Sequence, residues 1–201
     1  MFYTTDENNH DMAHDPFKAI VAPRPIGWIG TKGRDGSFNL SPYSFFNIVS
    51  DRPKIVMFSS SGRKHSLKNA QETGFFTASL VSRPLVDQMN ASSAPVDYGV
   101  DEFELAGLTS RMGEVVDAPY VAEAFAALEC RVTQIIEPHG LDGVPSESVM
   151  VLGQVLGIHL SEAIIRDGRI DMSLARPVAR MGYMDYSDGG VDVFQLRRPN
   201  Q

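Results

Sequence analysis

Apolar and polar residues alternate in short runs along most of the chain, with the two-residue period of half-buried strands. Ile26 to Thr31 reads as one strand, Lys32-Gly33-Arg34-Asp35-Gly36 supplies the Gly and Asp of a hairpin turn, and Ser37 to Leu40 returns. Ile55 to Ser59, Phe75 to Leu80, Leu128 to Ile136 and Val149 to Leu160 carry the same pattern. Helical spacing is confined to two short stretches. Ser66 to Thr73 is predicted to start on a Ser66 cap and stop at Gly74, and Pro84 to Asn90 places Leu85, Val86 and Met89 on one face. Neither could build a bundle, so the pattern predicts a mainly β protein, a barrel with accessory helices. Val149 to Leu160 is apolar or small on both alternating faces. It is either a central strand within its own monomer or a strand with one face covered by a second subunit.

The ends of the chain differ from its middle. Residues 1–16 are polar and read as an arm, 17–186 as one domain entered through Ala22-Pro23-Arg24-Pro25, and 187–201 as a tail. A length of 201 residues, 43% apolar and 21% charged, suffices for a core without disulfides or structural metal. The net charge of −7 argues against a nucleic-acid footprint and leaves small molecules as the expected partners. Cys130 is the single cysteine, the N-terminus lacks the basic flank and apolar core of an export signal, and nothing calls for a bilayer. A cytoplasmic protein with no membrane contact is expected.

Two segments carry candidate chemistry. Ser59-Ser60-Ser61-Gly62-Arg63-Lys64-His65-Ser66 follows an apolar strand and opens a helix, so hydroxyls, free backbone amides and two cations converge where a phosphate would fit. Read plainly, the same stretch is a solvated turn and a cap; it lacks the Walker spacing. Asn39-Leu40-Ser41-Pro42-Tyr43-Ser44-Phe45-Phe46-Asn47 mixes aromatic surface with small hydrogen-bonding groups, which suits a flat heteroaromatic ring. Alternatively Tyr43, Phe45 and Phe46 are core residues, and Ser41 and Asn47 end strands. His10 and His14 are spaced i and i+4 but no third ligand follows, so no metal site is expected. His139 and His159 read as surface or packing residues. Cys130 alternates inward with Leu128 and Val132 and reads as an inert buried thiol. Gly27, Gly30 and Gly33 do not have the dinucleotide-binding spacing.

In order along the chain, Pro23-Arg24-Pro25-Ile26-Gly27-Trp28-Ile29, then Asn39 to Asn47, then Lys64-His65-Ser66-Leu67-Lys68-Asn69 resemble the flavin reductase-like, FMN-binding split-barrel family. Asp101 to Thr109, Leu128 to Val132 and Pro177 to Gly182 extend the likeness over about 17–183. The resemblance implies an FMN-binding split β-barrel that forms a homodimer. It implies that Ser41, Pro42, Tyr43 and Ser44 line the isoalloxazine, that Ser59, Ser60, Lys64 and Ser66 hold the phosphate, and that Arg180 and Tyr183 approach the pocket. Where the family often has Asp-Thr, this chain has His65-Ser66: the hydroxyl is kept and an acid becomes an imidazole. The implied activity is that of an oxidoreductase using FMN, or FAD as the other flavin, with NAD(P)H as the small-molecule donor and no side-chain acid or base required. The alternative is a flavoredoxin-like electron carrier serving a protein acceptor.

Overall fold

The alternating runs become strands that hydrogen-bond into one seven-stranded sheet. The computed structural model describes residues 1–199. The strands of that sheet are β1 (Gly27–Lys32), β2 (Phe38–Tyr43), β3 (Phe46–Asp51), β4 (Lys54–Ser61), β5 (Phe75–Leu80), β6 (Ala126–Ile136) and β7 (Ser148–Leu160). Their order across the sheet is β2-β1-β5-β6-β7-β4-β3, and every pairing is antiparallel. The two edge strands β2 and β3 are consecutive in the chain, joined by Ser44-Phe45, and the Ser59 N–H of β4 donates to the Phe45 carbonyl at 2.8 Å. The edges therefore lie side by side, in a barrel split along one seam. Pro42 is tolerated within β2 because an edge strand has a side without ladder bonds.

β2 runs three residues beyond the expected Leu40, and β3 falls where no strand was expected. The aromatic and hydroxyl-rich stretch is thus two strand ends with a bend between them, since closing the seam draws it into the sheet. Tyr43 and Phe46 are buried in the barrel, whereas Phe45 is partly exposed. The barrel interior is filled by Ile29, Phe58, Phe76, Cys130, Val149 and Val151, with the Phe58 ring edge-on to Phe76 at 5.2 Å. A second apolar layer outside β1 and β2 packs Trp28 and Leu40 under Met89, Phe103, Val121 and Val178. β1 is consequently buried on both faces. Gly30 belongs to that crowding: a Cβ there would lie 2.1 Å from the Pro119 carbonyl oxygen.

Helix α1 (His65–Thr73) closes the barrel end, burying Leu67 and Ala70, and stops as expected at Gly74 in the left-handed region, φ 79°. Its start differs from the expected Ser66 cap. Lys64 holds the cap position and makes no side-chain cap bond, while the Ser66 hydroxyl, in the first turn, donates to Asn39. The second expected helix divides into a 3-10 turn, Arg83–Leu85, and α2 (Val86–Ala91). A further one-turn helix, Glu102–Leu105, is capped by Asp101.

On β7, Val149 and Val151 point into the core, whereas beyond the bulge between Val155 and Gly157, where Ile158 pairs with Leu128, the residues Leu156, Ile158 and Leu160 are exposed, Ile158 at 55%. The monomer leaves the C-terminal half of this apolar strand uncovered. Val178–Arg180 pairs with both Arg24–Pro25 and Tyr186–Asp188, which brings the C-terminal part of the chain beside the Pro-rich entry to the domain. Positions 200 and 201 of the expected tail lie outside the described residues. Among the described residues no helix is long and apolar enough to cross a membrane.

Candidate functional site

Two of the cavities near the seam carry most of the expected site residues. The inner one, about 340 Å3, lies between β2 and the start of α1, against Ser92 to Val96. Asn39, Ser41 and Tyr43 enter it from β2, since they alternate along one face of that strand. Lys64, His65 and Ser66 enter from the helix start. A helix start without a side-chain cap leaves amide donors free, and the lysine at the cap position adds a positive charge. The Tyr43 hydroxyl is buried without a hydrogen-bond partner. Burial raises its pKa, against the influence of the Ser66, Ser60 and Ser41 hydroxyls around it. Free helix amides, a cation and an orphaned phenol form a polar lining with unmet bonding capacity, and such groups suit the phosphate and hydroxylated chain of a flavin mononucleotide.

Behind this lining a buried network holds α1 to β2. Glu102, 3% exposed, accepts from Asn39 Nδ2 at 2.7 Å and from the Leu40 N–H at 2.9 Å. Burial raises the Glu102 pKa, partly offset by these donors. With Nδ2 directed at the carboxyl group, Asn39 Oδ1 faces Ser66 and accepts its hydroxyl at 2.7 Å. The Ser66 proton is therefore committed, and what Ser66 offers the cavity is an acceptor lone pair and its place on the helix. Asn69 donates to Thr31 at 3.2 Å, and Tyr98 donates to Asn69 at 3.2 Å. The His65 ring stands edge-on to Tyr98, with ring centres 5.2 Å apart.

The outer cleft, about 550 Å3, reaches the same seam from the other side and shares Ser93 with the inner cavity. Pro42 and Ser44 form its floor, joined by Ile26 and Met89. Its rim is the end of the arm, through His14 and Asp15, with Lys18 just after it, and the turn carrying Arg180 and Tyr183. Arg180 donates to the Tyr183 carbonyl and the Tyr186 hydroxyl, with its guanidinium 4.6 Å above the Tyr186 ring. Tyr183 has φ 54°, a left-handed conformation that is strained for a bulky residue, and its ring meets His14 at 5.5 Å.

The expected residues thus divide between two chambers. Ser41, Tyr43, Lys64 and Ser66 share the inner cavity; Pro42, Ser44, Arg180 and Tyr183 share the outer cleft. Ser60 lies beside Tyr43 and donates to the Gly62 carbonyl at 2.9 Å. Ser59 is placed opposite Met150, one residue out of phase with Ser60, and lines neither space. Glu102 and the Ser92–Ser93 pair were not foreseen, and Asn39 only as the first residue of the stretch expected to meet a flat ring; the arrival of distant segments shows their place. The histidines of the arm point to different partners, His10 to Tyr3 and His14 to Tyr183. His159 stacks on Tyr120 with ring centres 4.1 Å apart and lies 2.6 Å from Glu129. Burial, with Glu129 beside it, pushes the Cys130 thiol pKa far up, consistent with an inert thiol.

A family model described as the flavin reductase like domain matches residues 21–172. The chain belongs to the flavin reductase-like family. An uncharacterised protein of Halalkalibacterium halodurans is 34% identical, over 89% of this chain and 87% of that one. Among solved structures, nitrilotriacetate monooxygenase component B from Bacillus cereus is 28% identical with a TM-score of 0.88, covering 98% of each chain. Flavoredoxin of Desulfovibrio vulgaris is 26% identical with a TM-score of 0.79, covering 92% of this chain and 97% of that one. The split barrel expected from the sequence is the fold of this flavin reductase-like protein.

Proposed function

We propose that this flavin reductase-like protein is an FMN-dependent oxidoreductase reduced by NAD(P)H. The observation that carries the reading is the uncapped start of α1 beside the buried, unpartnered Tyr43 hydroxyl. The α1 amides and Lys64 would hold the phosphate, Tyr43 and Ser66 the hydroxylated chain, and Pro42 and Ser44 would face the ring where the cavities meet at Ser93. FMN, when bound, supplies the hydride chemistry. The residues bind and orient it, and the outer cleft offers a nicotinamide space to approach the ring. No side chain need carry a proton in the transfer to the ring.

An absorption spectrum of purified protein, with FMN added if it is colourless, then taken after anaerobic NADH and NADPH, tests this. Bleaching by either nucleotide is expected. A bound flavin that neither nucleotide reduces, but a protein partner does, would replace the enzyme with an electron carrier, the reading that likeness to a flavoredoxin favours. Failure to bind any flavin would overturn both. The exposed row Leu156, Ile158 and Leu160 supports a homodimer that covers the C-terminal half of β7; sedimentation as a monomer would refute it.

A further inference from the structure

The outer cleft holds a charge imbalance that flavin binding leaves unused. Lys18, Arg24 and Arg180 line it with a single carboxylate, Asp15. Asp15 is itself occupied, accepting the Phe17 N–H at 2.8 Å. No carboxylate lies within 4.0 Å of Lys18, Arg24 or Arg180 among the described residues. Arg24 spends its guanidinium on the carbonyls of Lys18, Val21 and Met181, and Arg180 spends its own on Tyr183 and Tyr186, so these contacts fix the cations without neutralising them. Arg24 Nε is in addition buried and unpartnered. In a protein of net charge −7, three cations gathered around one cleft attract an anion.

The rest of the lining describes the remainder of that ligand. Tyr183 and His14 present ring surfaces on the rim, Ile26, Met89 and Pro42 an apolar floor, and a space of about 550 Å3 is more than a small hydrated anion fills. The Tyr183 ring lies against His14 and its carbonyl is held by Arg180, and Gly182 lets the turn sit close to the segment after the arm, where a Cβ would come within 2.5 Å of Ala19 Cβ. Arm and turn thus form one rim. We infer that this cleft is a binding site for a planar aromatic carboxylate, its ring between the apolar floor and the Tyr183 rim and its carboxylate toward Lys18 and Arg180. The inference refines the proposed function by naming the class of small molecule admitted beside the flavin, and it rests on that reading.

Benzoate titrated by calorimetry into FMN-loaded and flavin-free protein tests it. Benzoate is expected to bind at least about tenfold more tightly than benzyl alcohol. Lys18→Gln should weaken benzoate about tenfold and leave benzyl alcohol unchanged, and Lys18→Arg should restore most of the loss. Equal affinity for the acid and the alcohol, indifference to Lys18→Gln, or displacement of benzoate by millimolar inorganic phosphate would each overturn the site. If the protein takes up no flavin, the proposed function fails, and benzoate binding to the flavin-free chain still decides this site.

Discussion

Replacing Glu129 with Gln tests how the outer layer is held to the barrel. Glu129, 1% exposed on β6, accepts from the Glu114 N–H at 2.8 Å, the Val115 N–H at 2.7 Å and the Val116 N–H at 2.9 Å, with His159 Nε2 at 2.6 Å. Each carboxylate oxygen serves two of these donors. Burial raises the pKa of Glu129, but the bonds from Glu114, Val115, His159 and Val116 outweigh it, and the net effect is a lowered pKa. Gln keeps one acceptor oxygen and turns an N–H toward the other pair. His159 can present its unprotonated nitrogen to that N–H, but at least one amide loses its acceptor. One orphaned donor and the loss of charge-assisted bonds cost about 3 kcal/mol, or roughly 6–12 °C in Tm for a domain of this size. The pH dependence follows from the sign of the shift. A depressed carboxyl pKa contributes stability that is present above the unfolded value near 4.5 and is lost as pH falls through the folded value. The variant lacks this contribution, so urea midpoints of the two proteins should stand well apart at pH 7 and converge below pH about 4.5. A gap that is absent at pH 7, or unchanged in acid, would refute the reasoning.

Glu102 has the opposite sign: burial raises its pKa, so its contribution is present below about pH 4.5 and is lost as pH rises through the raised value; Glu102→Gln should flatten that decline in urea midpoints between pH 4.5 and 7. Lys64→Ala combined with Ser66→Ala removes a cation and the link to Asn39, and should weaken FMN by about 2 kcal/mol, roughly thirtyfold in Kd by fluorescence quenching; unchanged affinity would remove α1 from the site. Gly30→Ala forces a methyl group toward the Pro119 carbonyl and the Thr77 hydroxyl, at 2.1 and 2.6 Å, and should cost about 3 kcal/mol by urea unfolding. Cys130 should resist a thiol reagent such as dithionitrobenzoate in the folded protein and react fully in urea; rapid labelling of the native state would contradict its burial.

Local pattern determined much of this protein. The period of two placed β1, β4, β5, β6 and β7, and Gly74 ended α1 where its left-handed conformation was needed, because both signals depend on neighbours in sequence. The order of the Pro23 to Ile29, Asn39 to Asn47 and Lys64 to Asn69 segments pointed to the family. What local pattern could not carry was decided by closure of the barrel. Ser41 to Asn47 looks like a turn until the seam draws it into β2 and β3, and Ser66 looks like a cap until Asn39, 27 positions away, takes its proton. The same closure separates neighbours: alternation along β2 sends Ser41 and Tyr43 to the inner cavity and Pro42 to the outer cleft. The acceptor that orients Asn39, the rim that joins residues 14–18 to 180–183, and the exposed row on β7 all arise from long-range packing. Sequence alone determined which segments could form strands and which residues could bind; only the tertiary structure decided which of them face one another, because hydrogen-bond partners and cavity walls are made between segments that folding brings together.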